Sequence, residues 1–418
     1  MGRVRFGAAA AAVGLAIGAW AVPASAAPSS FDTTFSGDGK VVVDPAGGVD
    51  PAYSLALQDD GKVVVAGRAS GAGGRMFALR FTDGGTLDTT FSGDGKAFVD
   101  FGAQNDFANA VAVTPDGDVL LMGGAQNGSR LAVARLNDDG TPDTAFSGDG
   151  KVTYEYANGA DFAAAGALQE DGSIVMTGQS GPNTAVWRLT DAGDRDLTFG
   201  TNGRRTRNFA NAEDVGLDVA VDGDGSIVVV GSTVSDDTAG AKTIVARFTD
   251  TGANDASFSG DGSATLDVVP GRYEDATEVS IQPDGALVVA GEAGGNLGLL
   301  RFTDAGVLDT TFSGDGRVRL NRPGPREWLS GLDLQEDGRI VVGGGQVIGN
   351  FYEPLFGRFN ANGTVDTTFA SGAGFVTRSL SARDDYVSEL EVRDDGRIVA
   401  GAFVDQANKV GVVRLLGG

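Results

Sequence analysis

The sequence predicts an all-β fold, a seven-bladed β-propeller of four-stranded antiparallel blades, on three observations. A marker of the form Asp-Thr-Thr-Phe-Ser-Gly-Asp-Gly recurs along the chain, an acid-glycine turn recurs out of phase with it, and the residues between follow strand periodicity. Aligned on its phenylalanine, the marker falls at Phe35, Phe91, Phe146, Phe199, Phe258, Phe312 and Phe369, with spacings of 56, 55, 53, 59, 54 and 57. A fixed period of this length makes 418 residues one array rather than two or three separate domains.

The second marker ends at Gly61, Gly117, Gly172, Gly225, Gly285, Gly338 and Gly396. Asp-Gly between apolar runs predicts a hairpin with a two-residue type I′ turn, which needs positive φ at both positions. Before the turn Leu55 and Leu57 alternate with the small Ser54 and Ala56, and Val111 and Val113 flank Ala112. This period of two defines strand a. After the turn, Val63-Val64-Val65 and Ile227-Val228-Val229-Val230 run unbroken, as in a strand b buried on both faces, and Gly follows at the sixth position in six units of seven. Strand c carries Phe77-Ala78-Leu79-Arg80 and its counterparts, and strand d follows the marker, as in Lys40-Val41-Val42-Val43.

Four such strands cannot bury both faces alone, so the units must pack on one another, and a closed ring leaves no bare end sheet. Small residues on strand a (Ala56, Ala112, Ala167, Ala220, Ser280) suit the place nearest the axis. The chain begins at a d strand and ends at a c strand, Lys409 to Leu416, so the N-terminal strand is expected to complete the last blade. The alternative, an open β solenoid, needs capping units that the sequence does not carry.

Cysteine and histidine are both absent, which excludes disulfides, Cys/His zinc sites and every triad built on His. Fifty-six acids against 32 bases repel nucleic acid and anionic membranes. Sixty-six glycines and 8% aromatics suit short strands joined by tight turns. At the N-terminus Arg3 and Arg5 precede an apolar run from Gly7 to Val22, and Ala24-Ser25-Ala26 forms an A-x-A cleavage site. The expectation is a signal peptide over 1–26 and a single propeller domain over 27–418, secreted, monomeric and not inserted in a membrane. Loss of the two arginines takes the formal charge from -24 to -26.

The combination of Asp-Thr-Thr-Phe, a Gly-rich turn, Asp-Gly-Lys-Val-Val-Val-Ala-Gly and Leu-Arg-Phe-Thr-Asp-Gly-Gly-Thr-Leu-Asp resembles the delta-60 repeat proteins, over about residues 31 to 418. The resemblance implies a propeller of exported or surface proteins, and it brings no established catalytic residues. The units that depart most from the pattern carry Phe199-Gly200-Thr201-Asn202-Gly203 and Ala370-Ser371-Gly372-Ala373-Gly374.

Two columns of charged residues hold through the repeats. Arg80, Arg135, Arg188, Arg247, Arg301 and Arg358 lie eight residues before Asp88, Asp143, Asp196, Asp255, Asp309 and Asp366, across a short turn that brings each pair side by side. Arg414 has no Asp after it and Asp32 no Arg before it, so these two are expected to pair across the ring closure. A packing device must be repeated in each blade whereas a ligand site need not be, which favours a structural role. The second column, Asp50, Asp106, Asp161, Asp214, Glu274, Glu327 and Asp385, lies eleven residues before the hairpin Gly and would ring one mouth of the axial channel. Its carboxylates are either oxygen ligands for Ca²⁺ or another hard cation, or else acceptors for backbone N–H groups in their loops or partners of the strand-c Arg, the structural role being favoured. No other cofactor is expected. The Ser-Gly-Asp-Gly turn at Asp38, Asp94, Asp149, Asp261 and Asp315, and Asp222-Gly223-Asp224-Gly225, read as turn geometry.

If repeated residues build the ring, function belongs where one unit departs from the others. The loop entering the sixth unit carries Arg322, Arg326 and Trp328, and that unit's b-to-c loop carries Phe351 and Tyr352. Both loop types emerge on one face, so these residues form either a binding patch or a filler between blades. The long b-to-c loop of the fourth unit, Ser232 to Lys242, is polar and reads as solvated. The leading reading is an exported, non-enzymatic scaffold that binds a protein or glycan on its loop face. The alternative is a carboxylate- or Ca-dependent extracellular glycosidase or lyase using acids at the channel mouth, where a glycosidase pair must stand about 5–5.5 or 6.5–9.5 Å apart.

Overall fold

Each unit begins with the hairpin its acid-glycine turn predicts, but the turn is of a different type. In the computed structural model, which describes residues 27–417 except 71–72, 103–104, 157–158, 210–212, 235–240, 270–271, 273, 321–325 and 407, only the glycine has positive φ, +84° at Gly61. The Gly61 amide donates to Gln58 O and the Gln58 amide to Lys62 O, both at 2.9 Å, a type I turn followed by a left-handed glycine. The Asp therefore serves as a side-chain cap, since Asp60 Oδ1 accepts from the Lys62 amide at 3.1 Å.

The strands that follow are β1 (Lys40–Val43), then β2 (Ala52–Leu57), β3 (Val63–Ala69), β4 (Arg75–Phe81) and β5 (Lys96–Val99) of blade 1. Blade 2 holds β6 (Phe107–Val113), β7 (Val119–Ala125), β8 (Arg130–Leu136) and β9 (Lys151–Tyr154); blade 3 holds β10 (Asp161–Leu168), β11 (Ile174–Ser180), β12 (Asn183–Leu189) and β13 (Arg204–Arg207). Blade 4 holds β14 (Glu213–Val221), β15 (Ile227–Val234), β16 (Lys242–Phe248) and β17 (Ser263–Leu266); blade 5 holds β18 (Glu274–Ile281), β19 (Leu287–Ala293), β20 (Leu297–Phe302) and β21 (Arg317–Leu320). Blade 6 holds β22 (Glu327–Leu334), β23 (Ile340–Ile348), β24 (Phe351–Phe359) and β25 (Phe375–Thr377), and the last blade has β26 (Tyr386–Val392), β27 (Ile398–Val404) and β28 (Lys409–Leu415).

All seven sheets are four-stranded and antiparallel, and the seventh reads β26-β27-β28-β1. The N-terminal strand closes the ring there, Lys40 facing Val413 and Val43 facing Val410. Strand a lies at one edge of every sheet, and successive a strands touch around the ring, β26 reaching β2. Among the described residues no helix is long and apolar enough to cross a membrane.

The apolar core is divided among the gaps between neighbouring blades, as in the cluster joining Val64, Ala78 and Phe91 of blade 1 to Val111, Leu121 and Ala134 of blade 2. A β-bulge in every strand a turns one carbonyl toward strand b. A Cβ added to Gly67, Gly123, Gly178, Gly231, Gly291 or Gly344 would lie 1.9–2.1 Å from that carbonyl, which is why the sixth position is glycine. The seventh unit carries Ala402 instead, and nothing in the structure explains the exception.

Side chains of strand a also tie neighbouring blades together. Ser54 accepts from the Val111 amide at 3.2 Å, Asp218 from Val279 at 2.8 Å, Asp333 from Val392 at 2.8 Å, and Glu391 from Leu57 at 3.1 Å.

Candidate functional site

The repeated charges form joints between blades. Arg80 Nε donates to Asp88 Oδ2 at 2.9 Å, and its Nη1 reaches the next blade's c-to-d turn, donating to the carbonyl and carboxylate of Asp138 at 2.5 Å each. Nη2 donates to Thr90 Oγ1 at 3.2 Å, and the guanidinium lies 4.8 Å above the buried Phe91 ring. The Arg–Asp pair recurs in all seven blades: Nε to Oδ2 distances are 2.5 Å for Arg135–Asp143, 2.6 Å for Arg188–Asp196 and Arg247–Asp255, and 2.7 Å for Arg301–Asp309, Arg358–Asp366 and Arg414–Asp32. A guanidinium can satisfy so many acceptors because its donors are fixed in a planar fork. The other carboxylate oxygen accepts from the Thr or Ser two residues on, as Asp88 Oδ1 does from Thr90, or in blade 2 from the amide of Ala145.

The marker's serine completes the joint. Ser36, Ser92, Ser147, Ser259 and Ser313 all hold φ of 52–53°. That left-handed conformation sends each amide to the neighbouring blade, Ser92 N to Asp139 O at 2.7 Å and Ser313 N to Asn362 O at 2.9 Å. In the divergent third blade Gly200 takes the same place, donating to Thr251 O at 2.9 Å.

The acids ahead of strand a are buried, and the structure does not gather them. Asp50 accepts from the amides of Ala46 and Ser70 at 3.0 and 2.9 Å, Asp106 from Phe101 and Gln126 at 2.9 and 3.2 Å, and Asp161 from the Tyr156 amide at 2.8 Å and the Ser180 hydroxyl at 2.5 Å. Asp214 accepts from Phe209 at 2.6 Å, Glu274 from Val268 at 2.7 Å, and Asp385 from Leu380, Ser381 and Asp405. Glu327 is buried in the same column. Burial pushes the carboxyls of Asp106 and Glu274 above their usual range, against the amide hydrogen bonds. Among the described residues no group of three or more acids is placed to hold a metal ion.

The loop residues of blade 6 do converge. Trp328 meets Tyr352 edge-on at 5.2 Å and Tyr386 of the next blade at 5.6 Å; Tyr386 stacks on Phe403 at 4.5 Å, and Phe403 meets Tyr53 of blade 1 at 5.8 Å. The arc thus crosses three blades at the end of the sheets where the a strands begin. Phe351 and Tyr352 are each 43% exposed, beside an exposed Ile348, while Trp328 and Tyr386 are partly buried. Burial, with the nearby Tyr53 and Tyr352, pushes the Tyr386 hydroxyl up to about 12. Arg326 is largely exposed and donates from Nε and Nη2 to Glu292 Oε2 at 3.1 and 2.7 Å. Arg322 lies outside the described residues, as do residues 1–26, where a signal peptide is expected, and most of the fourth unit's long loop.

Sequence reasoning missed Tyr53, Tyr386 and Phe403, which sit in two other units and join the patch only when the ring brings blades 6, 7 and 1 together. It also missed the reach of each arginine into the next blade. The signal for the second was present, because the c-to-d turn recurs with the same period as the arginine.

Ring, joints and loop face define a seven-bladed β-propeller built from one repeated unit. A family model described as a domain of unknown function (DUF5122) beta-propeller matches four of the repeats, at residues 58–91, 114–146, 282–312 and 335–369, in accord with the resemblance to delta-60 repeat proteins. No curated protein matches the chain in sequence. Among solved structures it is similar to virginiamycin B lyase from Staphylococcus aureus, at 12% identity and a TM-score of 0.54, over 89% of this chain and 98% of that one. It is also similar to hydrazine synthase of Kuenenia stuttgartiensis, at 13% identity and 0.51, over 90% and 98%. Sqt1 of Chaetomium thermophilum, solved with the N-terminus of ribosomal protein L10, aligns at 14% identity and 0.48, over 89% and 98%. At such identities the likeness is one of fold alone.

Proposed function

We propose that the protein is a secreted, non-enzymatic scaffold that holds a protein or glycan partner on the loop face of the propeller, through the aromatic arc. The observation that carries this reading is the half-exposure of Tyr352 and Phe351 beside Trp328, 5.2 Å from Tyr352, in an arc of four linked rings, whereas Phe107 and Phe162 at the equivalent place in blades 2 and 3 form a single pair. Aromatic side chains of this kind supply rigid contact area with a polar rim. The carboxylates that the glycosidase or lyase reading would use are occupied as backbone acceptors in their own loops, which supports the scaffold over the enzyme.

The test uses the 27–418 chain, whose two tryptophans differ in burial, Trp187 being 0% exposed and Trp328 partly exposed. Acrylamide should quench one component of the emission, and the Trp328→Phe variant should abolish that component. A glycan array and a pull-down from culture medium should each be run with wild type and Tyr352→Ala. Partner signal that survives Tyr352→Ala and Trp328→Ala unchanged refutes the reading.

A further inference from the structure

Blade 3 departs from the repeat at the outer rim of its seam with blade 2. Arg195 bridges to Leu189 just ahead of the marker, at a register that Phe31, Leu87, Pro142, Asn254, Leu308 and Val365 hold in the other units, so it is the one charge in that column. Its guanidinium lies over two rings of blade 2, with Cζ 4.5 Å from the Tyr154 centroid and 4.6 Å from that of Tyr156. Both tyrosines pack on the core shared by blades 2 and 3, and the Tyr154 hydroxyl donates to Gly193 O at 2.8 Å. Arg204 of β13 brings a second guanidinium to the same ring, 4.9 Å from Tyr156.

The two guanidinium groups are not matched alike. Arg204 donates to the Ser180 hydroxyl at 2.6 Å, and that hydroxyl donates to buried Asp161 at 2.5 Å, so Arg204 is linked to a carboxylate. Of the acids near Arg195 in sequence or across the seam, Glu155 pairs with Arg130 at 3.0 Å, Asp196 pairs with Arg188 at 2.6 Å, and Asp194 is exposed. No carboxylate lies within 4.0 Å of Arg195 among the described residues, and the residues outside that set nearest in sequence to Tyr156 and β13, 157–158 and 210–212, are all Ala or Asn. Arg195 Nε is buried without a hydrogen-bond partner, as is the indole Nε1 of Trp187, whose ring is 6.3 Å from that of Tyr156. Both atoms are donors, and buried donors normally find an acceptor in the protein, a water or an ion. The seam is thus short of acceptors beside a positive charge. A guanidinium seated over aromatic rings still has its in-plane N–H fork, which suits two oxygens of one anion.

We propose that the outer rim of the seam between blades 2 and 3 is an oxyanion site, in which partly exposed Arg195 takes two oxygens of a carboxylate, phosphate or sulfate group and Arg204 adds a second positive charge. Tyr154 and Tyr156 hold the Arg195 fork in place. In a chain of formal charge -24 an anion is repelled at long range, so short hydrogen bonds must hold it. The site does not rest on the loop-face reading, since the aromatic arc belongs to blades 6, 7 and 1.

The experiment uses the 27–418 chain with Trp328→Phe, which leaves Trp187 as its one tryptophan. It is titrated with sodium acetate, sodium phosphate and sodium sulfate in turn, sodium chloride holding the ionic strength constant, and Trp187 emission and melting temperature are read. Both should change saturably, and whether acetate or the two tetrahedral anions act separates a carboxylate ligand from a phosphate or sulfate one. Arg195→Leu restores the residue found in blades 1 and 5 and should abolish the response, while Arg195→Lys should weaken affinity about tenfold because an ammonium offers no fork. Melting curves check that the variants fold, and Arg195→Gln serves in place of Leu should that side chain upset the seam. No saturable response in either readout to any of the three anions, or an equal response in Arg195→Leu or Arg195→Gln, overturns the proposal.

Discussion

Arg414 donates its Nε hydrogen to Asp32 Oδ2 at 2.7 Å across 382 positions of sequence, and both side chains are almost wholly buried. The same guanidinium donates to Asp83 of blade 1, so one residue locks the terminal strand, the first marker and the neighbouring blade together. Removing one partner of a buried pair leaves the other uncompensated, at a cost of about 3–5 kcal/mol. Asp32→Ala should therefore lower the denaturation midpoint substantially, and limited proteolysis should show the N-terminal segment freed first. An unchanged midpoint would mean that the seam is held by the β1–β28 ladder alone.

Acid should unfasten the joints as a set. Burial raises the pKa of Asp32, Asp88, Asp196, Asp255 and Asp366, but hydrogen bonds from the Thr or Ser two residues on and the charge of the paired Arg outweigh it, and the net shift is downward. A lowered carboxylate contributes stability that is present above its unfolded value of about 3.9 and is lost as pH falls through the folded value. Melting temperature should fall steeply below about pH 4, and Asp88→Asn should be less stable than wild type at neutral pH with a flatter acid limb.

Arg80→Lys tests the joint without altering charge. An ammonium cannot reach Asp88, Asp138 and Thr90 together while lying flat over Phe91, so the variant should lose about 2 kcal/mol in urea unfolding. A loss within the error of the measurement would show that the fork geometry is dispensable.

The two glycines of the b and c strands should respond oppositely to the same methyl group. A Cβ at Gly123 would lie 2.0 Å from Phe107 O, so Gly123→Ala should cost about 3 kcal/mol or more or prevent folding. A Cβ at Gly298 would meet Ala293 Cβ at 3.3 Å, a close contact that a small shift of Ala293 relieves, and Gly298→Ala should be neutral or stabilising, because Ala has less backbone freedom to lose. Comparable losses at both positions would contradict the bulge-contact explanation.

Burial pushes the Asp275 carboxyl to about 6 from its ordinary 3.8. A raised carboxylate works in the opposite sense to Asp32: the unfolded chain ionises first, so stability is lost as pH rises from about 4 to about 6 and stays lost above it. Asp275→Asn should accordingly be more stable than wild type at pH 7 and indistinguishable from it below pH 4. Differential scanning calorimetry at the two pH values reads this directly, and a stability gain that is independent of pH would rule it out.

Much of this molecule is decided by its sequence alone. The spacing of Phe35 to Phe369 sets the number of blades, the acid-glycine turns set the hairpins, and unmatched Asp32 and Arg414 mark the two ends that must meet. These features are legible because a repeat exposes every local requirement seven times over, and local requirements such as a left-handed glycine leave fixed residue types. The turn type was misjudged because Asp-Gly is compatible with both hairpin geometries, and only the strand ends choose between them. Tertiary structure alone decided what meets across blades: Tyr53, Tyr386 and Phe403 join Trp328 from two other units, and Gly291 and Gly298 leave a rung without side chains only because they face each other. Such contacts depend on register and on the curvature of the ring, which no spacing along the chain encodes, whereas the joints do recur with the period and so could be read from it.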